Sequence, residues 1–202
     1  LGDDATCLLI GKRKCGKTTA LLDLLYSKRR TPDGVVFCGT AESNAAYDDI
    51  IPDSYVYGRW DPVDVQRFMD RQKAVNGKRK RNRQPKKYSF MVIDDLAWDK
   101  KFTKDPMYKE ILMNGRWDGI APMFVTAQYC LAMEPAFRNQ FDYIFLFRDI
   151  IPDNRRRLYQ YFCGQLGTFK EFERIFDFCT DNYGALVVKN NGNSTKIEEN
   201  FF

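Results

Sequence analysis

The stretch "GKRKCGKT" (residues 11–18) sets Gly11 and Gly16 around a basic segment and follows the second glycine with Lys17 and Thr18. That spacing suits anions. Glycines let backbone amides curl round phosphate oxygens, and a following helix adds the positive end of its dipole. Lys17 would reach the terminal phosphates and Thr18 would offer a hydroxyl to Mg2+. Nucleotide contacts are therefore expected at Gly11, Lys12, Arg13, Lys14, Cys15, Gly16, Lys17, Thr18 and Thr19. A phosphate-bound cation needs a further acid. "FMVIDDL" (90–96) supplies Asp94 for the metal, through water, and Asp95 to orient or deprotonate an attacking water. Alone, an apolar run ending in two acids often marks only a capped strand end. Gln128 closes "MFVTAQ" (123–128), where a glutamine can touch the last phosphate or the water. Arg116 and Arg138 flank that strand as candidate charge neutralisers, in cis or from a neighbouring subunit.

The rest of the composition narrows the chemistry. There is no histidine, which excludes histidine acid–base catalysis. Cys7, Cys15, Cys38, Cys130, Cys163 and Cys179 are scattered singly, without a CxxC pair. A zinc site is therefore not expected, and small buried thiols in a reducing compartment are. No apolar run reaches the ~18 residues needed to span a bilayer. "LGDDATCLLIG" lacks the basic start of a signal peptide and reads as a domain start. The net charge is +5, but "GKRKRNRQPKK" (77–87) carries Lys78, Arg79, Lys80, Arg81, Arg83, Lys86 and Lys87 without an acid. Without that stretch the chain is net negative.

These residues need a scaffold. Apolar runs at 5–11, 35–39, 88–96, 121–128, 141–147 and 183–189 read as strands, most of them buried, with a short strand possible at 54–58. Helical patterns follow Lys17, fill 61–75 with Asp61 as cap and Pro62 at the first position, and recur at 105–117, 152–165 and 168–179. The basic stretch, interrupted by Gly77 and Pro85, reads as a loop. Strands alternating with helices predict an α/β fold, a mainly parallel sheet covered on both faces. A single domain is expected over 1–188, followed by a polar tail at 189–202. The alternating aromatics Phe141, Tyr143, Phe145 and Phe147 read as strand packing.

The string "NGRWDGIAPMFVTAQYCLAMEPAFRNQFDYIFLFR" (114–148) resembles the genome-packaging ATPases of large DNA viruses, of the poxvirus and giant-virus type, within the FtsK/HerA superfamily of P-loop DNA-translocating motors. With the glycine loop and the paired acids, the resemblance runs over about residues 5–150. It implies ATP and Mg2+ as ligands and Mg-dependent ATP hydrolysis in a homo-oligomeric ring that packages double-stranded DNA into a capsid. Asp94 and Asp95 would be the acid pair, Gln128 the sensor, and Arg116 the favoured arginine finger with Arg138 second. It also implies a virus-encoded protein of the host cytoplasm or viral factory, with capsid components as partners. Two residues depart from the family pattern. Asp95 stands where glutamate is more usual, and Trp117 where histidine is. The basic stretch 78–87 would grip a phosphate backbone without reading sequence; a solvated loop or a nuclear-targeting signal would have the same composition. Two other activities fit the loop. One is a P-loop kinase using Arg155, Arg156 and Arg157 as a lid, and the other a slowly hydrolysing nucleotide-dependent DNA-binding switch.

Overall fold

The computed structural model describes residues 1–31, 33–39, 46–47, 50–96, 102–129, 135–190, 194 and 196–202. Most of the segment 40–49, and 130–134 with Cys130, lie outside them. The apolar runs form a seven-stranded sheet: β1 (Thr6–Ile10), β2 (Gly34–Cys38), β3 (Val56–Tyr57), β4 (Ser89–Asp94), β5 (Ile120–Ala127), β6 (Tyr143–Phe147) and β7 (Ala185–Lys189). Their spatial order is β3-β2-β4-β5-β1-β6-β7. All neighbours are parallel except β6 and β7, which run antiparallel.

Burial on both faces explains the near-continuous apolar strands. Successive side chains alternate between two cores. Leu8, Ile10, Met91 and Ile93 go to one, and Cys7, Leu9, Phe90 and Val92 to the other. The helices that close these cores are α1 (Lys17–Ser27), α2 (Pro62–Arg81), α3 (Pro106–Asp118), the short α4 (Pro135–Arg138), α5 (Pro152–Leu158), α6 (Phe169–Cys179) and the short α7 (Ile197–Asn200). α1 packs through Leu21 and Leu25, each burial contributing about 1.5–3 kcal/mol. On the opposite face α2 buries Val65, Phe68 and Met69, α3 buries Ile111 and Leu112, and α6 buries Phe172 and Phe176. The caps are as the sequence predicts at α2 and α3, where Asp61 and Asp105 each accept an N-terminal amide beside a proline. At α6, Thr168 and Glu171 form a reciprocal capping box.

Part of the expected loop is helix. α2 continues through Gly77 to Arg81, so Lys78, Arg79, Lys80 and Arg81 are its last turn. A glycine inside a helix costs only about 1 kcal/mol. The four cations also oppose the negative end of the helix dipole, so the helix passes Gly77 and stops before Pro85. After the polar stretch following β7, Phe201 and Phe202 return to that strand. Phe202 exchanges backbone hydrogen bonds with Val187 (2.9 and 3.0 Å).

Candidate functional site

Six parallel strands share one carboxyl edge, and the chemistry-bearing residues gather there. The loop 11–16 leaves β1, Asp94 and Asp95 end β4, Gln128 follows β5, and Arg148 and Asp149 follow β6. β5 lies between β1 and β4, so the strand ending in Gln128 sits between the loop and the acids.

The loop is built from its two glycines. A Cβ on Gly11 would lie 2.6 Å from both Cys15 Sγ and Phe147 Cβ, so only glycine fits where the chain leaves the sheet. Gly16 has φ +95°, a left-handed conformation, and directly precedes α1. Lys17 is only 9% exposed. Its Nζ donates to the Lys12 carbonyl (2.7 Å), curling across the mouth of the loop. Lys12 itself forms an ion pair with Asp149 (3.3 Å), whose carboxylate also accepts from Ile151 N and Asn154 Nδ2 (both 2.8 Å). Lys12 therefore anchors the loop to the end of β6. Arg13 and Lys14 are exposed; Cys15, Thr18 and Thr19 complete the loop and the first turn.

Asp94 is 2% exposed. Its Oδ1 accepts from Thr126 Oγ1 (2.6 Å) and its Oδ2 from Tyr47 OH (3.0 Å). Burial pushes its carboxyl above the usual range; the hydrogen bonds from Thr126 and Tyr47 pull it back, Asp95 adds to the rise and Lys17 opposes it. Thr126 Oγ1 also accepts the Asp95 amide (2.9 Å), and Gln128 Nε2 donates to Asp95 Oδ1 (2.6 Å). Tyr47 and Thr126 were not singled out by the sequence reading. Thr126 carried a signal, a polar residue inside an apolar strand. Tyr47 carried none, because only the fold brings it to Asp94.

Donor chemistry fits one cation shared with phosphate oxygens. Asp94 is a buried carboxylate whose ionised form burial disfavours, and Thr18 stands in the first turn of the helix that follows the loop. Among the described residues no group of three His, Cys, Asp or Glu side chains could hold a metal alone.

Arg116 and Arg138 lie elsewhere. Arg116, on the last turn of α3, contacts Asp142 Oδ2 and, at 3.3 Å, Thr6 Oγ1, where β1 begins. The Arg138 guanidinium stacks on the Tyr161 ring (3.6 Å), and its carbonyl accepts from Asn190 Nδ2 (3.3 Å), just past β7. Because β7 is antiparallel, both arginines sit at the amino edge of the sheet. At about 3.3 Å per residue, the length of β1 separates them from the loop. Of the two routes left open, in cis or from a neighbouring subunit, the fold brings neither arginine to its own loop: α3 runs antiparallel to the strands and carries Arg116 away from the carboxyl edge. Arg155 is equally unavailable as a lid, since it pairs with Asp177 and donates to the Asp149 carbonyl (2.7 Å).

The basic residues also converge at the amino edge. Arg79, Lys86 and Lys87 line a cleft of about 520 Å3 together with Lys28, Arg29 and Arg30, which follow α1. Asp33 pairs with Lys87 and Asp3 with Lys28 (3.1 Å). Lys80, Arg83 and Lys86 line a neighbouring cleft beside Trp117, which is 78% exposed. Lys28–Arg30 carry no local signal of this meeting, since nothing in the order of residues brings 28–30 to 79–87.

No family model matches the chain. It is 29% identical over 204 residues to the uncharacterized protein L437 of Acanthamoeba polyphaga mimivirus, covering 98% of this chain and 72% of that protein. It is 30% identical over 185 residues to the uncharacterized protein 075L of Invertebrate iridescent virus 6, covering 91% of this chain and 69% of that protein. Among solved structures it resembles the genome packaging NTPase B204 from Sulfolobus turreted icosahedral virus 2 in complex with AMPPCP. There the TM-score is 0.67 at 17% identity, over 96% of each chain. At that identity the likeness is one of fold. No helix among the described residues is long and apolar enough to cross a membrane. The chain therefore belongs to the family of viral proteins that includes 075L, and its fold is that of B204.

Proposed function

We propose that the chain is the ATPase domain of a motor that packages double-stranded viral DNA into a capsid. One observation carries the reading: the phosphate loop, Asp94, Asp95 and Gln128 share the carboxyl edge of one sheet, with Asp95 and Gln128 hydrogen-bonded. B204, which has this fold, is a genome packaging NTPase solved with a nucleotide analogue, and that supports the same work here.

In this reading loop amides 11–16 and Lys17 bind the phosphates. Lys17 exchanges the Lys12 carbonyl for phosphate oxygens. Thr18 and Asp94 would hold Mg2+, which would neutralise charge on the phosphates when bound. Asp95 accepts the proton of the attacking water, and Gln128 fixes the carboxylate that does so. Arg116, or Arg138 in its place, stabilises charge at a neighbouring subunit's site, which requires a ring. The amino-edge clefts, with Lys78, Arg79, Lys80, Arg81, Arg83, Lys86 and Lys87 beside Lys28–Arg30, hold the DNA backbone irrespective of sequence. Helix α1 carries Lys17 at one end and leads into Lys28 at the other, so it joins the two sites rigidly. The motor works with capsid components in the host cytoplasm or viral factory.

The test is ATP turnover with and without duplex DNA. Stimulation by duplexes of unrelated sequence is expected. Replacing Lys28, Arg29, Arg30, Arg79 and Lys86 with glutamine is expected to weaken DNA binding and flatten its dependence on salt. An unchanged salt slope would overturn the DNA assignment, and phosphate transfer to a small acceptor would overturn the motor.

A further inference from the structure

A cleft of about 430 Å3 opens beside the phosphate loop, on the side away from Asp94 and Asp95. One wall is the loop itself, Lys12 to Cys15. The other walls come from Arg148 and Ile150 after β6, and from Thr180, Asp181, Asn182 and Tyr183 between α6 and β7.

Three features of these walls have no use in the fold. Tyr183 is 75% exposed and Ile150 is 74% exposed, so a ring and a branched apolar side chain border the same cleft without burial of their own. Asn182 and Tyr183 are consecutive left-handed residues, with φ of 49° and 63°. Such conformations cost non-glycine residues about 1–3 kcal/mol each and persist where packing imposes them, commonly at binding sites. Here the turn is held by Gly184 N, which donates to the Asp181 carbonyl (2.9 Å), and by Arg148, which contacts Asp181 Oδ1 (3.4 Å). The strained turn brings Tyr183 against the loop: its Cβ and ring Cδ1 lie 3.6 and 3.7 Å from the position a Cβ on Gly16 would take. The Asn182 amide makes no hydrogen bond among the described residues and is free to meet a polar edge.

A flat apolar face, a planar polar edge and adjoining cations beside a phosphate loop are the complement of a nucleoside. We infer that the turn 181–183 is the nucleobase platform of the bound nucleotide. Tyr183 stacks on a purine ring, Ile150 covers it, and the Asn182 side chain meets its polar edge. This rests on the reading of the loop 11–18 as a nucleotide site. The base then hangs toward β6 and β7, while the terminal phosphate points to Asp95 and Gln128 on the other side of β1.

The test separates base from phosphate. ATP and inorganic tripolyphosphate are titrated by calorimetry into the wild-type chain and into Tyr183→Ala, Tyr183→Phe and Lys17→Ala. Stacking on an aromatic side chain is worth about a tenfold to hundredfold change in affinity. Tyr183→Ala should lose that much for ATP and nothing for tripolyphosphate, Tyr183→Phe should keep both, and Lys17→Ala should lose both. Unchanged ATP binding in Tyr183→Ala would overturn the platform while leaving the phosphate loop intact. An equal loss for both ligands would mean that Tyr183 only supports the loop, and would also overturn it. If Lys17→Ala bound both ligands normally, the reading of the loop would fail and the platform with it.

Discussion

Gln128 Nε2 donates to Asp95 Oδ1 across 2.6 Å, joining the residues that end β5 and β4. Asp95 is in the left-handed region (φ 51°), which short polar side chains tolerate better than longer ones. This gives a physical reason for aspartate where the resembling family more often has glutamate. The backbone already turns the carboxylate toward Gln128, and a longer side chain would start from a costlier conformation. Asp95→Asn should therefore bind ATP normally and hydrolyse it about 10²- to 10⁴-fold more slowly in single-turnover measurements. Asp95→Glu should not exceed the wild-type rate. A faster glutamate variant would show that reach, rather than backbone conformation, limits the reaction.

Tyr47 is the next test of the site. Its hydroxyl gives Asp94 Oδ2 a hydrogen bond at 3.0 Å from inside the core, and burial pushes its phenol well above the ordinary value, so it stays a donor. Removing an outer partner of a metal-holding carboxylate commonly costs about 10- to 100-fold in cation affinity or activity. Tyr47→Phe should raise the Mg2+ concentration needed for half-maximal hydrolysis by that order. ATP binding without metal should be unaffected. An unchanged Mg2+ requirement would leave Tyr47 a packing residue only.

The alternation of apolar runs with amphipathic helices made the sheet, its burial on both faces and the strand ends carrying Asp94 and Gln128 legible in the sequence, because those signals are local. Signals that depend on which segments meet were not legible. Tyr47 lies 47 residues before Asp94 in the chain, and nothing local in the sequence announces the hydrogen bond between them. Lys28–Arg30 join Arg79 and Lys86 only because α1 and α2 end at the same edge of the sheet. The end of α2 was misplaced for a local reason: the cost of Gly77 is small beside the packing already committed along the helix. Arg116 looked adjacent to Gln128 in the chain, yet the length of β5 puts it at the opposite edge.

Two buried thiols, Cys7 and Cys38, should add to the fold's sensitivity to alkali. Burial pushes the Cys7 thiol up to about 12, with the Asp142 charge adding to it, and burial with Asp94 does the same for Cys38, against an ordinary value of 9.0. The folded pKa is above the unfolded one, so the folded state holds these protons longer. Their contribution to stability is complete below pH 9 and is lost progressively as pH rises toward 12. Urea unfolding at pH 8 and pH 10.5 should show a clear loss at the higher pH, and Cys7→Ala should make that loss smaller. An equal loss in the variant would assign the alkaline sensitivity to other groups.

Arg116 can be assigned two roles, and they are separable. Asp142 is buried at the start of β6, accepting Thr6 N (2.8 Å) and Thr6 Oγ1 (3.1 Å) as well as Arg116. The Arg116 side chain is 40% exposed, so solvent screens much of its pairing, and Thr6 keeps the carboxylate bonded after its removal. Arg116→Ala should cost about 1–2 kcal/mol in chemical denaturation, well short of the cost of stranding a buried charge. Arg116→Lys should recover most of that stability, since an ammonium still faces Asp142. A lysine cannot reproduce the planar fork of a guanidinium at a neighbour's phosphates. If the proposed ring forms, its hydrolysis should therefore stay low in both variants, while isolated chains bind ATP normally. If Arg116→Lys restored the rate along with the stability, Arg116 would be a structural partner of Asp142 alone, and the neighbour-directed role would pass to Arg138.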